Sequence, residues 1–192
     1  TSNQLDVVHS GDAGPIFWNA TSFGTTQQAC VKLAAIDANA DEVALVLKSQ
    51  SSTGYSSGAM EVLFYPPGSV VRVFTYDSGN GWVQRGSDIG TTFAAGDTLR
   101  VVARSNGQVE VYKNATLLGT RDASAWTYSG QGGYIGLWSI LGPNTMFDDF
   151  GGGTYSGRSA ADVRAMGAPK TLHKVMPCGH RPNALSRPTS TV

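Results

Sequence analysis

Apolar and polar residues alternate with a period of two along much of the chain before residue 150. Gln28 to Ile36 sets Ala29, Val31 and Leu33 against Cys30, Lys32 and Ala34, and Val43 to Gln50 sets Val43, Leu45 and Leu47 against Ala44, Val46 and Lys48. Successive side chains of an extended chain point to opposite faces, so each segment predicts a strand with one face suited to a core. Met60 to Tyr65 and Val70 to Tyr76 flank Pro66-Pro67-Gly68-Ser69, which predicts a hairpin closed by a short loop. Pairing Tyr65 with Val70 gathers Met60, Val62, Phe64, Val71, Val73 and Thr75 on the core side. The other side then carries Glu61, Leu63, Tyr65, Arg72, Phe74 and Tyr76.

A second hairpin is predicted from Leu99 to Arg104 and Val109 to Lys113, around Ser105-Asn106-Gly107-Gln108. A plain two-residue turn would pair Arg104 with Val109 and mix charged with apolar residues. A type I turn with a bulge at Gly107 sorts Leu99, Val101, Ala103, Val109 and Val111 together, so that register is chosen. Arg100, Val102, Arg104, Glu110 and Tyr112 share the opposite face. Shorter strands are expected at Leu5 to Val8, Ile16 to Trp18, Trp82 to Ile89 and Thr116 to Ala123. Tyr134 to Ile140 and Met146 to Phe150 are two more, joined by the turn Gly142-Pro143-Asn144. Gly136 leaves a gap there for a neighbouring backbone or ring. Ser49 to Ser57 is a polar loop without periodicity, and after Gly153 the alternation stops.

These patterns predict an all-β chain: one sandwich domain over residues 1–153 and an irregular tail or linker over 154–192. Net charge is zero and 15% of residues are charged, so no basic stripe is present to contact phosphates and nucleic acid is not an expected partner. No apolar run approaches the roughly 20 residues that cross a bilayer as a helix, so no membrane partner is expected either. Cys30 and Cys178 are too few for a disulfide framework, and the residues favour two unpaired thiols over a bridge.

Gly132-Gly-Tyr-Ile-Gly-Leu-Trp138, followed by Phe147-Asp-Asp-Phe150, resembles the last two strands of concanavalin A-like, laminin G-like jelly-roll modules of secreted bacterial proteins. Phe23, Gln27, Gln28, the middle hairpins and Asn106-Gly107 also fall where such a module has them, so the resemblance spans about residues 4 to 151. It implies a jelly-roll β-sandwich of two antiparallel sheets, an extracellular or cell-surface location and membership of a larger chain. It does not fix activity, because one sandwich carries lectins, binding modules and glycosidases alike.

The candidate chemistry is sugar recognition, which needs flat rings for the C–H faces of a saccharide and polar groups for its hydroxyls. Glu61, Tyr65, Arg72, Phe74, Tyr76, Trp82, Arg100, Glu110 and Tyr112 supply both. The favoured expectation is therefore non-catalytic binding of a polysaccharide, with no cofactor required. The alternatives are a glycoside hydrolase that uses Glu61 and Glu110 as its carboxylate pair, and a structural or adhesive sandwich without a small ligand. Gly54-Tyr55-Ser56-Ser57-Gly58 matches the Gly-x-Ser-x-Gly nucleophile elbow, but it precedes a strand where the elbow requires a strand-to-helix turn. Asp148 or Asp149 offers at most one side-chain ligand to a Ca²⁺ ion, since neighbours on a strand point apart. His173, Cys178 and His180 are of metal-binding type but fall in the tail.

Overall fold

The computed structural model describes residues 4–157. Its strands are β1 (Leu5–Asp6), β2 (Ile16–Phe17), β3 (Gln27–Ala35), β4 (Glu42–Ser49), β5 (Ala59–Tyr65), β6 (Val70–Asp77) and β7 (Gly81–Gln84). They continue as β8 (Ile89–Gly90), β9 (Thr98–Ala103), β10 (Gln108–Lys113), β11 (Thr116–Asp122), β12 (Tyr134–Ile140) and β13 (Met146–Thr154). A seven-stranded front sheet runs β2-β12-β4-β5-β6-β7, with β8 also on β6, and a six-stranded back sheet runs β1-β13-β3-β9-β10-β11. All pairings are antiparallel, and this is the expected jelly-roll sandwich.

The core lies between the sheets and is filled by the alternation seen in the sequence. Leu45, Met60, Val62, Val71 and Val73 of the front sheet meet Val31, Leu33, Leu99, Val101 and Val109 of the back sheet. Each such buried side chain contributes about 1.5–3 kcal/mol relative to exposure. Tyr65 pairs with Val70, as the hairpin pattern requires, across a 3₁₀ turn at Pro66–Gly68. In the second hairpin Val109 pairs with Ala103, and Gly107 takes a φ of +86° that makes the bulge cheap for glycine alone.

Some expectations change. The run Trp82 to Ile89 is not one strand: the chain leaves β6 after Gln84, turns at Gly86 (φ +78°) and returns as β8 at the far end of β6. The turn after Ile140 carries the chain from the front sheet to the back sheet, so β12 and β13 do not pair with each other. Gly136 has its gap filled by the Ile16 carbonyl, 2.3 Å from where a Cβ would stand. Alternation predicts an outward Lys48, yet its backbone is left-handed (φ 49°) and the side chain is fully buried. Its ammonium donates to the carbonyls of Thr25 at 2.7 Å, Arg104 at 3.0 Å and Ser129, tying the end of the front sheet to back-sheet turns. Burial pushes its pKa down to about 8. Cys30 is disulfide-bonded, which corrects the expectation of a free thiol there. Cys178, His173, His180 and nearly all of the tail lie outside the described residues.

Candidate functional site

The outward side of the front sheet is built by the residues that alternate with the core. In register, Glu61 of β5 stands between Val46 of β4 and Phe74 of β6. One row along, Tyr76 stands between Ala59 and Trp82 of β7. In the other direction Trp138 of β12 lies opposite Ala44. A fourth ring comes from the loop after β4: Tyr55 stacks on Trp138 with centroids 5.1 Å apart, meets Tyr76 edge-on at 5.1 Å and touches Trp82 at 5.3 Å. Trp82 and Trp138 approach to 6.0 Å although β4, β5 and β6 separate their strands. The rings therefore arch over the middle of the sheet, and Trp138 and Tyr55 join Ala44, Val46, Ala59 and Leu63 in a second apolar cluster outside the core.

Glu61 lies in the row of the sheet between those of Trp138 and Tyr76, two rings of that arch. It points away from the core but is only 3% exposed, and its Oε1 has no hydrogen-bond partner. Burial holds its carboxyl well above the ordinary carboxylate range; the charge of Glu42, a hydrogen bond from the protonated Glu61 carboxyl to Glu42 and the charge of Asp12 add to the effect. Glu42 is raised for the same first reason. Asp12 accepts the Trp138 indole N–H at 2.6 Å and so fixes that ring. Beside the arch runs an accessible polar line. Arg72 donates to Asp88 at 3.1 Å, Gln84 donates to Asp88 at 2.8 Å, and the Arg72 guanidinium sits 4.9 Å over the Tyr65 ring. The Gln84 amide, first, and then Arg72 hold the Asp88 carboxyl below its usual range. Trp82, 36% exposed, stands next to this line on the sheet edge.

The back sheet's outward face is of a different kind. Arg104 forks onto Glu110 at 2.7 and 3.1 Å, the Tyr112 hydroxyl donates to the same carboxylate at 2.7 Å, and Arg100 lies 3.7 Å over the Tyr112 ring. Burial raises the Glu110 pKa, but these donors outweigh it and hold the carboxyl below its usual range, while burial and then Glu110 push Tyr112 up to about 12. Every oxygen of Glu110 is engaged.

Of the candidate residues, Glu61, Tyr65, Arg72, Phe74, Tyr76 and Trp82 thus gather on the front face, and Arg100, Glu110 and Tyr112 on the back face. Glu61 and Glu110 point outward from different sheets with the core between them. A glycosidase pair must lie within roughly 5–10 Å, so these two carboxylates cannot flank one bond. The Gly54 to Gly58 elbow is a turn closed by the Gly58 N–H on the Tyr55 carbonyl, and no helix follows it. Asp148 faces Lys32 at 3.9 Å, and Asp149 sits exposed on a bulge with φ +49°. Among the described residues no group of three His, Cys, Asp or Glu that could hold a metal ion includes them. A separate, almost wholly apolar cleft walled by Leu5, Val7, Ile16 and Phe147 opens at the sandwich edge and offers a saccharide few hydrogen-bonding groups.

Sequence reasoning missed Tyr55, Trp138, Glu42 and Asp12 as parts of the front face. Trp138 was legible, because it alternates with Ile135 and Leu137. Tyr55 had one signal, a lone ring in a loop of Ser, Thr and Gly.

No protein-family model matches the sequence, and no curated protein matches it. Among solved structures the chain is similar to a carbohydrate binding module, CBM66, from Bacillus subtilis, with a TM-score of 0.53 and 13% identity over 80% of this chain and 92% of that one. It also matches sheep galectin-11 in complex with glycerol, with a TM-score of 0.49 and 13% identity over 72% of this chain and 97% of that one. A Ruminococcus gnavus sialidase CBM40 bound to α2,3-sialyllactose matches with a TM-score of 0.43 and 13% identity over 74% and 89%. The chain is a jelly-roll β-sandwich of two antiparallel sheets, and the likeness shows that fold.

Proposed function

We propose that the chain is a non-catalytic carbohydrate-binding module of a secreted or cell-surface protein, and that it takes a glycan on the outward face of the front sheet. The observation that carries this reading is the exposed Trp82 ring, in register with Tyr76 and beside the polar line of Gln84, Asp88 and Arg72. A saccharide laid along β6 and β7 would stack a C–H face on the indole and exchange hydrogen bonds with an amide, a carboxylate and a guanidinium. Similarity in fold to a carbohydrate binding module supports the reading. The disulfide at Cys30 supports an oxidising compartment.

Affinity gels cast with laminarin, xyloglucan, inulin and pullulan test it, with reducing-sugar release measured alongside. The wild-type chain is expected to be retarded by at least one of them without releasing sugar. Trp82→Ala is expected to weaken that retardation about tenfold or more, equal to about 1.4 kcal/mol. Retardation by none of these or a wider panel would favour a structural or adhesive sandwich, and sugar release would favour a hydrolase.

A further inference from the structure

The loop that delivers Tyr55 is held mainly by the ring it carries. Among the described residues, the hydrogen bonds of positions 51–57 run to the loop itself or to the stem at Ser49 and Gly58. Gly54 has open space where a side chain would stand, and Gly58 holds φ +126°. The ring, by contrast, lies among Trp138, Trp82 and Tyr76 at 5.1–5.3 Å. Glu61, whose row in the sheet lies between those of Trp138 and Tyr76, keeps an Oε1 without a partner at 3% exposure, although its carboxyl also meets Glu42. A buried polar atom left without a partner costs free energy that a ligand hydroxyl would recover.

We propose that Tyr55 is a stand-in ligand: it fills a saccharide subsite walled by Trp138, Trp82 and Tyr76 and floored by Glu61, and a sugar ring binds by displacing it. The inference rests on the glycan-binding reading above and deepens it. A pyranose chair presents a C–H face of about the same width as a phenol ring, so exchange keeps contact with the surrounding rings and adds a hydrogen bond at Glu61. The floor also selects. Glu61 stands with Glu42 and Asp12, and no cation is paired with these three among the described residues, so the carboxylate of an acidic sugar finds no counter-charge there and a neutral sugar is preferred. The closed loop lowers apparent affinity by the fraction of molecules in which the ring is in place.

The test uses the full chain, the four neutral polysaccharides named above, and polygalacturonate as the acidic arm. Tyr55→Ala is expected to bind the retained neutral glycan about tenfold more tightly than wild type, because the closed state is gone. It should bind polygalacturonate no better, and added p-cresol should compete with glycan in Tyr55→Ala but not in wild type. A second measurement needs no substitution. Glycan should increase nitration of Tyr55 by tetranitromethane in the wild-type chain, read by mass spectrometry. If glycan protects Tyr55 instead, or Tyr55→Ala binds no tighter while Trp82→Ala loses binding, the stand-in is wrong and the binding face stands. If neither wild type nor Tyr55→Ala binds any glycan, both proposals fall.

Discussion

On the back sheet Glu110 accepts from Arg104 and Tyr112, each at 2.7 Å, whereas on the front sheet Glu61 is just as deeply covered and has an oxygen with no donor at all. The two glutamates look alike in the chain. Each lies on a core strand, sits between two buried apolar residues, and has an arginine and a tyrosine close by in register. Their surroundings separate them. Arg104 is nine-tenths covered and turned onto Glu110, while Arg72 leans over Tyr65 and spends its charge on Asp88. A satisfied buried network rigidifies, whereas a buried oxygen without a donor costs free energy that a new donor would recover. On the proposed reading the back face is structure, and the front face is where a ligand has something to gain.

Breaking the back-face network gives the largest expected effect. Arg104→Ala leaves Glu110 buried without its cation and should cost about 3–5 kcal/mol in urea unfolding at neutral pH. A loss below about 1 kcal/mol would mean that the face is not a closed network. Glu61 should behave in the opposite way. Its folded pKa lies above its unfolded value of about 4.3, so between the two the native state binds more protons and stability falls as pH rises. Glu110, with a lowered folded pKa, contributes stability above its unfolded value that is lost as pH falls. Glu61→Gln should thus match wild type at pH 4 and exceed it by on the order of 1 kcal/mol by pH 8, as measured by thermal melts. Equal pH curves for the two would remove the contrast. The smallest change is Tyr112→Phe, which deletes one of the three donors to Glu110 and should cost about 0.5–1.5 kcal/mol without altering glycan retardation.

Much of this fold was legible because alternation reports which side of a strand faces the core. Met60, Val62, Val71 and Val73 went inside as read, and Gly107 took the bulge that lets Val109 face inward with Ala103. Parity does not say which sheet a strand joins. Glu61 and Glu110 were both readable as outward, but that they look out from opposite sheets follows from the long-range pairing of β3 with β9 and of β4 with β12. Tyr55 was hidden for another reason, since a loop has no period and its direction is set by the rings it meets. Lys48 broke the rule itself, because one left-handed residue at the end of β4 swings its side chain towards the other sheet.

The central claim is that one outward face receives a glycan and the other does not. Backbone and indole N–H shifts of the labelled chain, followed while titrating the glycan that the affinity gels retain, test it most directly. The account predicts that shifts concentrate at Tyr55, Arg72, Phe74, Tyr76 and the Trp82 indole, with Arg100, Glu110 and Tyr112 unmoved. The reverse pattern, with β9 and β10 perturbed and β6 and β7 still, would contradict it.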